Sequence, residues 1–123
     1  MIRKATKDDI KVLEGLQEFI ESLEIDILKN YSSVKIQDIL KFVFMSENDR
    51  FSYKNCIVCE KEGKIKGFSF SYHYNEVEKM KNFWFNEVVK KFNLKQDDII
   101  FDYDEVLEKE YYLDTLNVFS EYR

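Results

Sequence analysis

The sequence predicts an α+β domain on a mainly antiparallel sheet, with elements in the order β-α-α-β-β-(α insertion)-β. Three observations predict it. Apolar residues recur at helical spacing in three separate segments. Two alternating runs flank Glu62-Gly63, a two-residue hairpin signal. A β-branched and aromatic run, Tyr111 to Val118, stands near the end.

Ile2 to Thr6 reads as a short strand, with β-branched residues at both ends. Thr6 suits a helix N-cap, and Asp8 and Asp9 would sit in a first turn where the helix dipole favours acids. A helix is expected from about Lys7 to Leu28, with Ile10, Leu13, Leu16, Ile20 and Leu23 inward and a break near Ser22. Asn30 to Ser33 is a polar turn. A second helix spans about Val34 to Met45 on Ile36, Ile39, Leu40, Val43 and Phe44. Ser46 to Tyr53 reads as a polar connection. Cys56 to Lys61 and Lys64 to Tyr74 are the hairpin strands. In the second, Ile65, Gly67, Ser69, Ser71 and His73 share one face, with Phe68, Phe70, Tyr72 and Tyr74 on the other. A helix from Asn75 or Glu76 to Phe92 carries Val77, Met80, Trp84, Val88 and Phe92 as its stripe, widened by Phe83. Asn93-Leu94 ends it. The stretch from Asp97 to Glu110 is acidic, with a short extended piece at Ile99 to Phe101.

At 123 residues the chain is one domain, 1–123, and 45% apolar content is enough for a core without disulfides or metal. The formal charge of −5 disfavours nucleic acid and favours a cationic or amine-bearing small molecule. No run approaches a membrane span, and no signal peptide is visible. Two cysteines make no secreted framework, so the cytoplasm is expected. Cys56-x-x-Cys59 has a redox or zinc spacing, but three residues apart in a strand point to opposite faces and no second pair exists. Packing is the expectation, with no metal. There is no proline. The three glycines, Gly15, Gly63 and Gly67, form no phosphate-cradling loop.

The order of elements resembles the N-terminal half of the GNAT superfamily of acetyl-CoA-dependent N-acetyltransferases. MIRKATKDDIKVLEGL is similar to the opening strand and helix, and VCEKEGKIKGFSFSY to the hairpin. EYYLDTLNVFSEYR looks like the fourth strand, which in that family runs into an Arg/Gln-x-x-Gly-x-Gly/Ala loop. Arg123 would open that loop, so the domain is expected to be C-terminally incomplete and impaired in binding acetyl-CoA. The segment from Asn75 to Glu110 is longer than the family's usual connection.

The resemblance implies attack of an amine on the thioester carbonyl, with a carboxylate taking the proton. Main-chain groups of Leu116, Asn117 and Val118 would hold the acetyl and pantetheine end, and Arg123 the start of the pyrophosphate site. Asp114, a carboxylate inside an apolar strand, is a candidate general base, with Glu110 as the alternative. A solvated or salt-bridged strand residue is the competing reading of Asp114. Tyr72, Tyr74 and Tyr103 are candidates to line an amine pocket by cation–π contact, set against plain core packing. Trp84 is expected in the core, and His73 at a strand end. The acidic run at Asp97-Asp98 and Asp102 to Glu105 is either solvated surface or a rim for a cationic substrate. A non-enzymatic module is the competing function. An open Tyr111–Val118 edge would then pair two copies into a homodimer.

Overall fold

In a computed structural model of the chain, the structure describes residues 1–23, 25–100 and the backbone of 111–118. Strand β1 is Ile2–Lys4. Helix α1 is Val12–Ser22, α2 is Ile27–Asn30 and α3 is Ser33–Met45. Strands β2, Cys56–Lys61, and β3, Lys64–His73, form the hairpin. An inserted helix follows as α4, Val77–Phe83, a π turn at Trp84–Val88, and α5, Val89–Phe92. Strand β4 is Tyr111–Val118. The strands lie side by side in the order β1-β2-β3-β4, each antiparallel to its neighbour. This is the α+β order read from the sequence.

Helix α1 begins five residues later than expected, because Asp9 is spent elsewhere. Its carboxylate accepts the Thr6 N–H at 2.7 Å and takes both arms of the Arg3 guanidinium at 2.9 Å. Arg3 also reaches Glu60 on β2 at 2.9 Å. The strand-to-helix corner is thus pinned by a forked ion pair. The Arg3 hydrogen bond, against the cost of burial and with help from the Thr6 amide, holds the Asp9 carboxyl below the usual carboxylate range. Thr6 Oγ1 caps only the Asp8 N–H, at 3.3 Å. Ile10 and Leu23, expected inside, are exposed. Helix α1 ends at Ser22, whose hydroxyl donates to the Phe19 carbonyl at 2.6 Å, and α2 is a separate single turn. Helix α3 behaves as expected. Ser32 Oγ accepts from the Lys35 N–H at 3.2 Å, a side-chain N-cap, and all five apolar positions named for it are buried.

The hairpin turn has Glu62 at φ 56° and Gly63 at φ 75°, two left-handed residues in succession. That is the type I′ geometry whose twist matches the strands, and it needs glycine or a tolerant residue. In β3, Cys59 pairs with Gly67 but Glu60 with Ile65, so Lys66 is an extra residue. The bulge reverses the phase. Ile65 joins the core face instead of the Ser69 face where strict alternation puts it. Phe68, Phe70 and Tyr72 stay inward. Phe70 meets Phe44, Phe51 and Phe68 edge-to-face, at centroid distances of 6.4, 5.4 and 5.8 Å.

The connection after α3 is not the solvated loop its polarity suggests. Asp49, Arg50, Phe51 and Ser52 are all buried. Several of their polar groups have internal partners. Asp49 Oδ2 accepts the Phe51 N–H at 2.9 Å, and Asn55 Nδ2 donates to the Asp49 carbonyl at 3.0 Å. The inserted helix buries Met80, Trp84, Val88 and Val89, and the π turn carries the stripe from Trp84 to Val88 and Val89 together. Asn93, left-handed at φ 54°, ends it, with the Leu94 N–H closing on the Val89 carbonyl at 2.9 Å. Ile99 and Ile100 lie after a turn rather than in a strand. The rest of that expected piece, Phe101, lies outside the described residues.

Candidate functional site at the β4 bulge

The β3–β4 ladder breaks once. His73, Tyr72 and Ser71 pair with Tyr111, Tyr112 and Leu113, while Phe70, Ser69, Phe68 and Gly67 pair with Thr115, Leu116, Asn117 and Val118. Asp114 is the extra residue, at a bulge in the middle of β4. A bulge bends its strand and takes main-chain groups out of the ladder. Main-chain N–H groups freed in this way are the donors that hold an oxyanion or a polarised carbonyl. The sequence singles out Asp114 for its carboxylate. The bulge at the same position has no signature in residue type. The three residues expected to hold the acetyl and pantetheine end, Leu116, Asn117 and Val118, follow on the paired stretch just beyond the bulge.

The other named residues fall in different places. Tyr72 is a core residue. Its hydroxyl accepts from Arg50 Nη2 at 2.8 Å, and the guanidinium lies 5.4 Å from its ring centroid. The ring face is therefore covered by Arg50. Tyr74 begins a 3-10 turn at Tyr74–Glu76 and is 37% exposed, so it keeps a surface. Tyr103, Glu110 and Arg123, with the acidic run at 102–105, lie outside the described residues. His73 Nδ1 accepts the Asn75 N–H at 3.1 Å, capping that turn. Cys56 is buried and Cys59 exposed on opposite faces of β2, and both are free thiols. Burial, with Asp9 nearby, pushes the Cys56 thiol up to about 12, so it holds no thiolate near neutrality. Among the described residues no three His, Cys, Asp or Glu side chains cluster as a metal site.

Two buried carboxylates, Asp49 and Asp98, escape sequence reasoning. Asp49 is fully enclosed, and Oδ1 has no hydrogen-bond partner among the described residues. Burial pushes its carboxyl up to about 6, against the pull of the Phe51 N–H and the Arg50 charge. Asp98 is buried yet well supplied. Its Oδ2 accepts from the Tyr31 hydroxyl and from the Lys95 N–H at 2.8 Å, and its carbonyl accepts Trp84 Nε1 at 2.8 Å. Burial raises its carboxyl, but those hydrogen bonds outweigh it and leave Asp98 below the usual range. Of the pair Asp97-Asp98, only Asp97 is solvated. Nothing in the residue pattern links Tyr31 to a carboxylate 67 positions away.

Strand order, crossing helices and the interrupted fourth strand define the fold of the GNAT N-acetyltransferases, whose N-terminal portion the chain resembles. Two solved structures share it. The whole chain superposes on 67% of an N-acetyltransferase from Staphylococcus aureus Mu50, with a TM-score of 0.80 and 23% identity. It superposes on 65% of a second acetyltransferase, with a TM-score of 0.79 and 27% identity. The chain thus spans about two thirds of the length of the proteins it matches. No protein-family model matches it, and no curated protein matches it by sequence.

Proposed function

We propose that the chain is the acetyl-handling part of an acetyl-CoA-dependent N-acetyltransferase acting on an amine. The observation that supports this reading is the bulge at Asp114, a break in the fourth strand of a GNAT-type sheet. In the proposed reaction, main-chain donors of β4 near Leu116, Asn117 and Val118 orient the thioester carbonyl and the pantetheine arm. A carboxylate, Asp114 or Glu110, takes the proton from the attacking ammonium. The nitrogen bonds the carbonyl carbon, the C–S bond breaks, and the surplus proton left on that nitrogen passes to the departing thiolate, giving amide and thiol. Tyr74, with its exposed ring, is the tyrosine suited to meet a cationic acceptor. The two free cysteines suit a reducing compartment, the cytoplasm.

The 123 residues contain no glycine-rich loop for the pyrophosphate. Taken by themselves they are expected to bind acetyl-CoA weakly and to turn over little. Calorimetric titration of acetyl-CoA into the 123-residue chain tests this. Binding weaker than micromolar is expected, and micromolar affinity would overturn the need for the loop. A second reading, a non-enzymatic module that pairs through β4, is favoured by one observation. Among the described residues β4 ends the sheet, with β3 on one side only.

A further inference from the structure

The connection between α3 and β2 touches β3 where the ladder to β4 breaks. Arg50 and Phe51 are adjacent in sequence and both buried, at 2% and 0% exposure. Arg50 Nη2 donates to the Tyr72 hydroxyl at 2.8 Å, and the guanidinium lies 5.4 Å from the Tyr72 ring centroid. Phe51 meets Phe70 edge-on at 5.4 Å. Tyr72 and Phe70 are the β3 residues on either side of Ser71, where the register shifts. Tyr72 pairs with Tyr112 and Phe70 with Thr115, so two steps along β3 face three along β4. One short turn therefore grips both rungs that bracket Asp114.

The turn is itself held from within. Asp49 Oδ2 accepts the Phe51 N–H at 2.9 Å. The Asp49 carbonyl accepts the Ser52 N–H and Asn55 Nδ2, each at 3.0 Å, and Ser52 Oγ donates to the Ser46 carbonyl at 2.5 Å. Arg50 and Phe51 are thus presented by a fastened backbone. A guanidinium costs more to bury than an apolar side chain of similar size, so filling space does not account for Arg50. The bulge, for its part, needs something that selects its position. Residue type does not select it, and a slip of one place would turn the intervening side chains to the other face.

We infer that Arg50 and Phe51 are positioning residues that hold the β4 bulge at Asp114. With Tyr72 and Phe70 gripped, the pleat of β3 is set on both sides of Ser71, and the extra β4 residue falls between their partners. The main-chain donors of the bulge are thereby kept at one place in the strand. The inference rests on the acetyl-transfer reading only for the use made of those donors.

Tyr72→Phe removes the hydroxyl that Arg50 holds and keeps the ring. Arg50→Met removes the charge and keeps an unbranched side chain. Ile27→Val, a core truncation on α2, is the comparison. Each variant of the 123-residue chain is isotopically labelled, its backbone amides are recorded without ligand, and S-acetylpantetheine is then titrated. In the free chain, Tyr72→Phe is expected to broaden or split the amides of residues 113–115, the sign of a bulge exchanging between positions. The β1–β2 amides should stay sharp, and Ile27→Val should leave residues 113–115 as they are in the wild type. S-acetylpantetheine should bind Tyr72→Phe about three- to tenfold more weakly than the wild type, the equivalent of one net hydrogen bond. Lost stability alone would not move that affinity while the chain remains folded. Arg50→Met should match it, and the double variant should lose no more than the larger single loss, because both act through one contact. Where Arg50→Met does not fold, Tyr72→Phe alone decides. Sharp, single 113–115 amides in Tyr72→Phe, equal broadening in Ile27→Val, or an affinity equal to that of the wild type would each overturn the assignment. If S-acetylpantetheine does not bind the wild type, the acetyl-transfer reading falls, and the ligand-free amides still decide what holds the bulge.

Discussion

At the scale of single residues, the sharpest consequence lies in a side chain that sequence reasoning passed over. Asp49 sits in a stretch that reads as a polar connection, yet it is wholly buried with one oxygen unpartnered among the described residues. Its folded value, about 6, lies above its ordinary 3.8. The folded state therefore holds the proton more tightly than the unfolded chain does. Stability from this group is present in full below about pH 4 and is lost as pH rises through 6. Asp49→Asn keeps the acceptor for the Phe51 N–H and removes the buried charge. We predict that the variant gains on the wild type by on the order of 2–3 kcal/mol between pH 4 and pH 7. Urea unfolding at both pH values measures the gain, and an equal difference at the two would contradict it. Neither Asp49 nor the latch at Asp98 was legible, because burial of a polar residue depends on partners remote in sequence. Tyr72 shows the same limit from the other side. Its aromatic character suggested a ligand, and only the fold reveals Arg50 against it.

Elements were more legible than their ends. The five apolar positions of α3, the bounds of β2 and the close of the inserted helix at Asn93 all follow from periodicity and turn residues. What the sequence misplaced has local causes. The start of α1 moved because Asp9 serves an ion pair, and Ile65 changed face because Lys66 bulges. Side-chain alternation cannot reveal an extra residue in a ladder, since a bulge is defined by the partner strand. The same holds for Asp114, where the candidate site lies. The turn between β2 and β3 was readable because its chemistry is local. Gly63→Ala places a Cβ at φ 75° with no clash, so its cost is purely conformational, about 1 kcal/mol. A lower urea midpoint at unchanged slope is the expected result.

On the scale of the whole molecule, the order of elements and the inserted helix were visible in the sequence, whereas the hollow between α2 and the segment near Ile99 was not. It exists only when α2 and the segment near Ile99 meet. The end of the sheet at β4 carries the competing function. An eight-residue strand, YYLDTLNV, with one charge and no proline or lysine lacks the usual guards of an edge, apart from its bulge. Self-association through it predicts a concentration-dependent dimer in sedimentation equilibrium, and a monomer throughout would remove the pairing proposal. The acetyl-handling role is tested most directly by a ligand that has the acetyl end and lacks the nucleotide. S-acetylpantetheine, titrated into isotopically labelled chain and followed by backbone NMR, should shift the amides of residues 113–118 and their partners in β3. Adenosine 3′,5′-bisphosphate, the nucleotide end alone, should leave them unmoved. If S-acetylpantetheine leaves those amides unchanged, or acts only elsewhere, β4 is not the acetyl platform.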